Sequence, residues 1–136
     1  MQLAPRTEEF LNEDRRWIGD SKKLRADRTI IASPALFSPA AFPGGVVKSG
    51  TVLVRNDAGI WGPSDPAATD GRQTPDSDNT GVLYTTTVLR ADGGNAALPL
   101  YDNGAINVAF LPVAAGPGSL NAAAKSAMAS HFRFYA

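Results

Sequence analysis

The chain contains no cysteine, so disulfides, thiolate metal sites and thiol catalysis are excluded, and the redox compartment is left open. A single histidine, His131, leaves little material for a His-rich zinc or iron centre. There is no excess of either sign of charge: 13 basic residues balance 13 acidic ones. A neutral chain exerts no broad attraction on nucleic acid, so DNA or RNA is not an expected partner. No apolar run approaches the ~18 residues of a membrane span, so no membrane partner is expected. The front end carries Glu8, Glu9, Glu13 and Asp14 where a signal peptide would need an apolar stretch, which reads as synthesis in a cytoplasm without an export signal.

What is present favours short strands and turns. Within 136 residues there are 13 glycines and 10 prolines. Together with abundant alanine and threonine and few long aliphatic side chains, this predicts one small β-rich domain over a helical bundle. Half of the charged residues fall between Met1 and Thr29, with both signs interleaved around Phe10, Leu11, Trp17, Ile18 and Leu24. This is poor material for a core and reads as an extended arm that lies on a partner. Trp17, with little local core available, reads as an aromatic anchor for a partner's pocket.

Further along, Arg28 to Ala32 forms a short strand stopped by Ser33-Pro34. The proline-rich stretch from Ser33 to Gly45 is irregular. Thr51 to Arg55 alternates along an extended strand, and Ile60-Trp61 follows a turn, with Trp61 expected in the core. Val82 to Leu89 reads as one uninterrupted strand covered on both faces. Asn103-Gly104 is a strong hairpin signal between Ala96–Tyr101 and Ala105–Leu111. In the second arm of that hairpin, Ile106, Val108 and Phe110 should share a buried face. Near the end, Ser119 is expected to cap an alanine-rich helix over about 119–131, with Leu120, Ala124, Ala127, Met128 and His131 along one stripe. Phe132 to Tyr135 is expected as a last strand.

Residues that could carry chemistry are few. Asp76-Ser-Asp78-Asn-Thr80-Gly81 copies the first half of a calcium loop, but the twelfth position, where a bidentate Glu would close it, is Thr87. A solvated Asx-rich turn is the better reading. His131 adjoins Ser130, but neighbours on a helix diverge, and no G-x-S-x-G elbow is present. The pairs Asp65/Asp70 and Asp76/Asp78 lie in loops with no sign of a cleft between carboxylates. No phosphate-binding glycine motif occurs. The basic runs Arg15-Arg16 and Lys22-Lys23-Arg25 are interrupted by acids and read as a mixed-charge surface. No catalytic residue, cofactor or metal is expected, and the chain is not read as an enzyme.

One ordered set of motifs is more specific. It runs Lys48-Ser-Gly-Thr-Val-Leu-Val-Arg55, a turn, Trp61, Asp65-Pro-Ala-Ala-Thr-Asp-Gly71, and then Gly81-Val-Leu83. Glu9-Phe10-Leu11 precedes it and an Ala-rich helix follows it. This series resembles the head decoration proteins of tailed DNA phages, with Ser33 to Gly45 as an apparent insertion. The resemblance implies a mostly β (α+β), β-clip or barrel-like fold with an extended N-terminal arm and one C-terminal helix. On this reading the arm and first strand occupy 1–31 and the decoration domain 32–136.

The function implied is cementing the outside of the expanded phage head as homotrimers at three-fold and quasi-three-fold sites. The partner would be the major capsid protein and the location the outer surface of the virion. Phe10, Leu11, Arg15, Trp17, Ile18, Leu24 and Ile30 are then candidates for capsid contact. Val52, Leu53, Trp61, Leu83, Ile106, Val108 and Phe110 are candidates for core or trimer contact. The alternative is a small β-rich binding module for carbohydrate or a host surface.

Overall fold

The computed structural model describes residues 13–19, 27–90 and 92–135. Nine short strands are described: β1 (Asp27–Ala32), β2 (Val46–Val47), β3 (Val52–Arg55), β4 (Trp61–Pro63), β5 (Thr80–Leu83), β6 (Thr87–Val88), β7 (Ala96–Tyr101), β8 (Gly104–Asn107) and β9 (Phe132–Tyr135). One helix, α1 (Ala122–Met128), lies near the C-terminus. The fold is therefore mostly β, as the composition suggested.

Five strands close a barrel in the order β1-β4-β3-β5-β7, with β7 returning to β1. The β1–β7 ladder is the longest, running antiparallel from Asp27↔Tyr101 to Ala32↔Ala96. Closure between β1 and β4 is parallel and rests on the single pair Ala32↔Trp61. Two small sheets stand outside the barrel: antiparallel β2–β6 and parallel β8–β9.

Strand alternation sorts the apolar side chains into two cores. Inward residues Ile30, Ala32, Leu53, Trp61, Leu83, Leu98 and Leu100 fill the barrel, with Phe37, Phe42, Val47 and Leu89 closing it. The next residues along the same strands, Val52, Val82 and Tyr101, face outward into a second core with Trp17, Ile106, Ala124, Met128 and Phe132. Each fully buried side chain of this size contributes roughly 1.5–3 kcal/mol of transfer free energy. The barrel interior is tight: a Cβ at Gly81 would come within 2.7 Å of the Leu100 side chain.

Several expectations are corrected. The run from Val82 to Leu89 is broken: β5 ends at Leu83, and β6 leaves the barrel to pair with β2. Asn103-Gly104 does not make a hairpin. β7 is already paired on both sides, with β1 and β5, and β8 pairs with β9 instead. Val108 to Phe110 is a 3-10 turn, in which Asn107 Oδ1 accepts from Ala109 N at 3.2 Å. Alternation therefore ends at Asn107, leaving Val108 half-buried and Phe110 exposed.

The helix is shorter than 119–131, and its N-cap is Asn121, whose Oδ1 accepts from Ala124 N at 2.8 Å. Ser119 turns its hydroxyl onto Gly116 O instead. Ala124 and Met128 of the expected stripe are buried, and the last strand, β9, forms where the sequence placed it.

The arm also departs from expectation. The boundary drawn at residue 31 falls inside β1, and Ile30 belongs to the barrel core at 4% exposure. Residues 17–19 join the small outer sheet. Ile18 bridges Ile106, Asn107 N donates to Trp17 O at 2.6 Å, and Gly19 N donates to Ala105 O at 3.0 Å. The charged leading stretch thus supplies an edge of the fold as well as a side chain for its core.

Candidate interaction surface

The turn Lys48-Ser-Gly-Thr organises the region where the leading stretch meets the domain. Gly50 has φ +99, a left-handed conformation that glycine adopts without penalty. A Cβ there would also crowd Pro112 and the Trp17 ring. The turn presents Ser49, whose hydroxyl accepts from Trp17 Nε1 at 3.1 Å and donates to Tyr84 O at 2.6 Å. Trp17 is fully buried and packs edge-on against Tyr101, with centroids 5.2 Å apart. It therefore anchors the chain to itself, which corrects its assignment to a partner's pocket. A large apolar ring with one donor is satisfied here by one core and one hydroxyl.

Just before Trp17, two charged residues grip the loop after β5. Arg15 Nε donates to Tyr84 O and its NH2 group donates to Thr85 Oγ1, both at 3.1 Å. Its guanidinium lies 4.1 Å from the Tyr84 ring centroid. Glu13 Oε1 accepts from Thr86 N at 2.7 Å.

Arg16 points outward. It forks onto Asp14, the shortest contact being 2.8 Å, and covers the exposed Phe110 ring at 4.6 Å. The hydrogen bond from Arg16 is the main reason the Asp14 carboxyl is held down at about 2. Both groups are fully exposed, so the pair contributes little to stability.

The Asp70–Arg72 pair is different in kind. Arg72 is only 9% exposed; its NH1 donates to Pro63 O at 3.0 Å and its Nε forks onto Asp70 at 3.0 and 3.1 Å. Burial opposes ionisation of Asp70, but the hydrogen bonds and charge of Arg72, with a further bond from Asn56, keep its carboxyl below the usual range. This pair pins the long loop after β4 to the barrel rim. The Asp76 loop is likewise an Asx turn, with Asp76 Oδ1 accepting from Asp78 N and Asn79 N. No group of three metal-ligating side chains occurs among the described residues.

Of the residues assigned to the arm, Phe10, Leu11 and Leu24 lie outside the described residues. Arg15 and Ile18 are half-buried on the domain, while Trp17 and Ile30 are interior. Of those assigned to core or trimer contact, Val52, Leu53, Trp61, Leu83 and Ile106 are buried together in the two cores. Sequence reasoning passed over Ser49, Tyr84 and Tyr101, the partners that fix Trp17 and Arg15. The only signal for Ser49 was its place in the Lys48-Ser-Gly-Thr turn.

The outside of the barrel is unevenly covered. Where β3, β5 and the end of β7 face outward, the second core and α1 roof them. Along β1 and the first part of β7, Thr29 faces Pro99 and Ile31 faces Ala97 on the outer side of the ladder. These four residues are uncharged, and Ile31 is 44% exposed.

No helix among the described residues is long and apolar enough to cross a membrane. No protein-family model matches the chain, and no curated protein matches it significantly.

Proposed function

We propose that this chain is a capsid decoration protein of the tailed-phage type, binding the outside of the expanded head as trimers and stabilising it against the pressure of packaged DNA. The ordered motif series from Lys48 to Leu83 supports the reading, and so does the role of that series in the fold. Its strands β3 and β5 form part of the wall shared by both cores.

The observation that supports the trimer is the outer patch of Thr29, Ile31, Ala97 and Pro99 on β1 and β7. One sector of the barrel is sealed by the chain's own second core, whereas Ile31 on the other sector is 44% exposed, which supports a neighbouring copy as its cover. Exposed apolar strips rimmed by polar residues mark protein contacts. Repeating one such contact around a three-fold axis closes a ring. The major capsid protein is the second partner. A trimer that bridges several of its subunits buries area only in the assembled lattice, and so favours that lattice by mass action. Selectivity for expanded heads follows if the docking site is completed only on expansion.

The test mixes the protein with expanded, undecorated heads and with unexpanded procapsids, and measures its mass by light scattering. Expected are saturable binding to expanded heads alone and a three-fold mass, in solution or on the shell. Binding to neither particle of the matched phage, or a monomer that binds glycans, overturns the reading. Ile31→Lys should retain the fold and lose the trimer; an unaffected trimer would exclude this strip as the interface.

A further inference from the structure

The Asn103-Gly104 step turns no hairpin, yet the fold holds it under tight constraint. It joins β7, in the barrel, to β8, in the outer sheet. Gly104 has φ +147, and a Cβ there would collide with the Tyr101 hydroxyl, so the position requires glycine. Asn103 just before it is exposed. It lines a hollow of about 290 Å³ with Ser130, His131 and Arg133, which brings water to its side chain. An asparagine followed by glycine is the step most prone to lose ammonia, because no side chain on the next residue keeps that residue's backbone nitrogen away from the asparagine amide carbon. This is the one Asn-Gly step in the chain.

In the folded molecule that nitrogen is occupied. Gly104 N donates to His131 O at 3.1 Å, at the start of the β8–β9 ladder in which Gly104 pairs with Phe132. The other edge of β8 is held as well, where Gly19 N donates to Ala105 O. Ring closure at Asn103 needs the Gly104 nitrogen to give up its proton and to turn onto the side-chain carbon. Neither can happen while the N–H is bonded to His131 O, so β9 must first lift from β8.

We propose that Asn103 is a site of spontaneous modification, converting to isoaspartate and aspartate at a rate set by the docking of β9 on β8. When β9 lifts, the Gly104 nitrogen attacks the Asn103 side-chain carbonyl carbon. A C–N bond forms, the nitrogen's proton passes through water to the departing amide, and ammonia leaves behind a succinimide ring. Water then opens the ring. Addition at the side-chain carbonyl gives aspartate; addition at the main-chain carbonyl gives isoaspartate. Isoaspartate routes the main chain through the side-chain carbon and so lengthens the link between Tyr101 and Gly104. That lengthening draws β8 out of register with β9 and with residues 17–19. Nothing in this chemistry requires the capsid reading.

The test ages the full-length chain at neutral pH and follows residue 103 by peptide mapping, with isoaspartate and aspartate separated by chromatography and the exposed Asn95 as an internal reference. Expected is conversion at Asn103 at least ~10-fold slower than in a peptide spanning Tyr101 to Ile106. Phe132→Ala, and the milder Phe134→Ala, remove β9 side chains from the outer core and should speed it several-fold. Phe37→Ala weakens the barrel core instead and should leave the wild-type rate. Amide exchange along the β1–β7 ladder confirms that each variant compared keeps a folded barrel. Conversion as fast in the folded chain as in the peptide overturns the proposal. So does a rate that the β9 variants leave unchanged, or that Phe37→Ala raises equally, since the gate would then be the local turn or global unfolding. Aged wild-type chain should lose exchange protection in β8 while aged Asn103→Gln chain keeps it; equal loss in both would refute the shift of register.

Discussion

The barrel core and the outer core share three strands yet are closed by different stretches of chain. Ile30, Leu53, Leu83, Leu98 and Leu100 come from strands hydrogen-bonded into one closed ladder. The outer core takes Val52, Val82 and Tyr101 from the backs of those strands and is completed by Trp17 from the leading stretch and by Ala124, Met128 and Phe132 from near the end. A closed barrel fixes its side chains through register. The outer core depends instead on docking segments distant in sequence, held by a few contacts such as Trp17 to Ser49. The two should therefore differ in local stability, the outer layer opening at lower free energy than the barrel.

The sharpest probe of that difference is Trp17→Ala. Removing a fully buried tryptophan costs about 3–5 kcal/mol. Expected is fast amide exchange in β8, β9 and α1 with the β1–β7 ladder still protected. Uniform loss of protection would show the two cores to be one cooperative unit.

The converse is Leu53→Ala inside the barrel, at about 2–5 kcal/mol. Because β3 also carries Val52 into the outer core, this change should lower the protection of both layers together. A chemical-denaturation midpoint that falls while the ladder stays protected would break the asymmetry.

The smallest effect concerns the exposed rim of the outer core. The Asp14 carboxyl titrates near 2 in the folded chain, below its ordinary value of 3.8. Its folded value is depressed, so whatever stability the pair contributes is present above the ordinary carboxylate range and fades as the pH falls toward the folded value. Full exposure keeps that contribution slight. Arg16→Gln should return the carboxyl toward its ordinary value in a carbon-detected NMR titration with no measurable change in melting temperature. A clear drop in melting temperature would mean that the Arg16 cover on Phe110 is structural.

What could be read from the residues was local. Alternation in Thr51 to Arg55, the prolines and glycines of the turns, the alanine run and the last apolar strand all report on a few neighbouring residues, and each found its element. The errors were decisions between long-range partners. Asn103-Gly104 has hairpin chemistry, but β7 had already given both edges to the barrel, which no dipeptide signal reveals. Trp17 was judged by its charged neighbours in sequence. Its actual environment, Ser49 and Tyr101, lies far along the chain, so the expectation of an exposed anchor failed for lack of tertiary information. The candidate interface was legible only in part: Ile30 and Ile31 are identical in propensity, and the barrel register alone sends one inward and the other to the surface.

The parallel pairing of β8 with β9 has a consequence for synthesis. Every barrel strand leaves the ribosome before β9 does, so the barrel can assemble during translation while its companion layer cannot. Until Phe132 emerges, Val52, Val82 and Tyr101 lack part of their cover, leaving a greasy wall partly exposed on the nascent chain. Holding that wall apart from its copies on neighbouring ribosomes is the kinetic problem this topology sets for any cell that makes the protein in quantity.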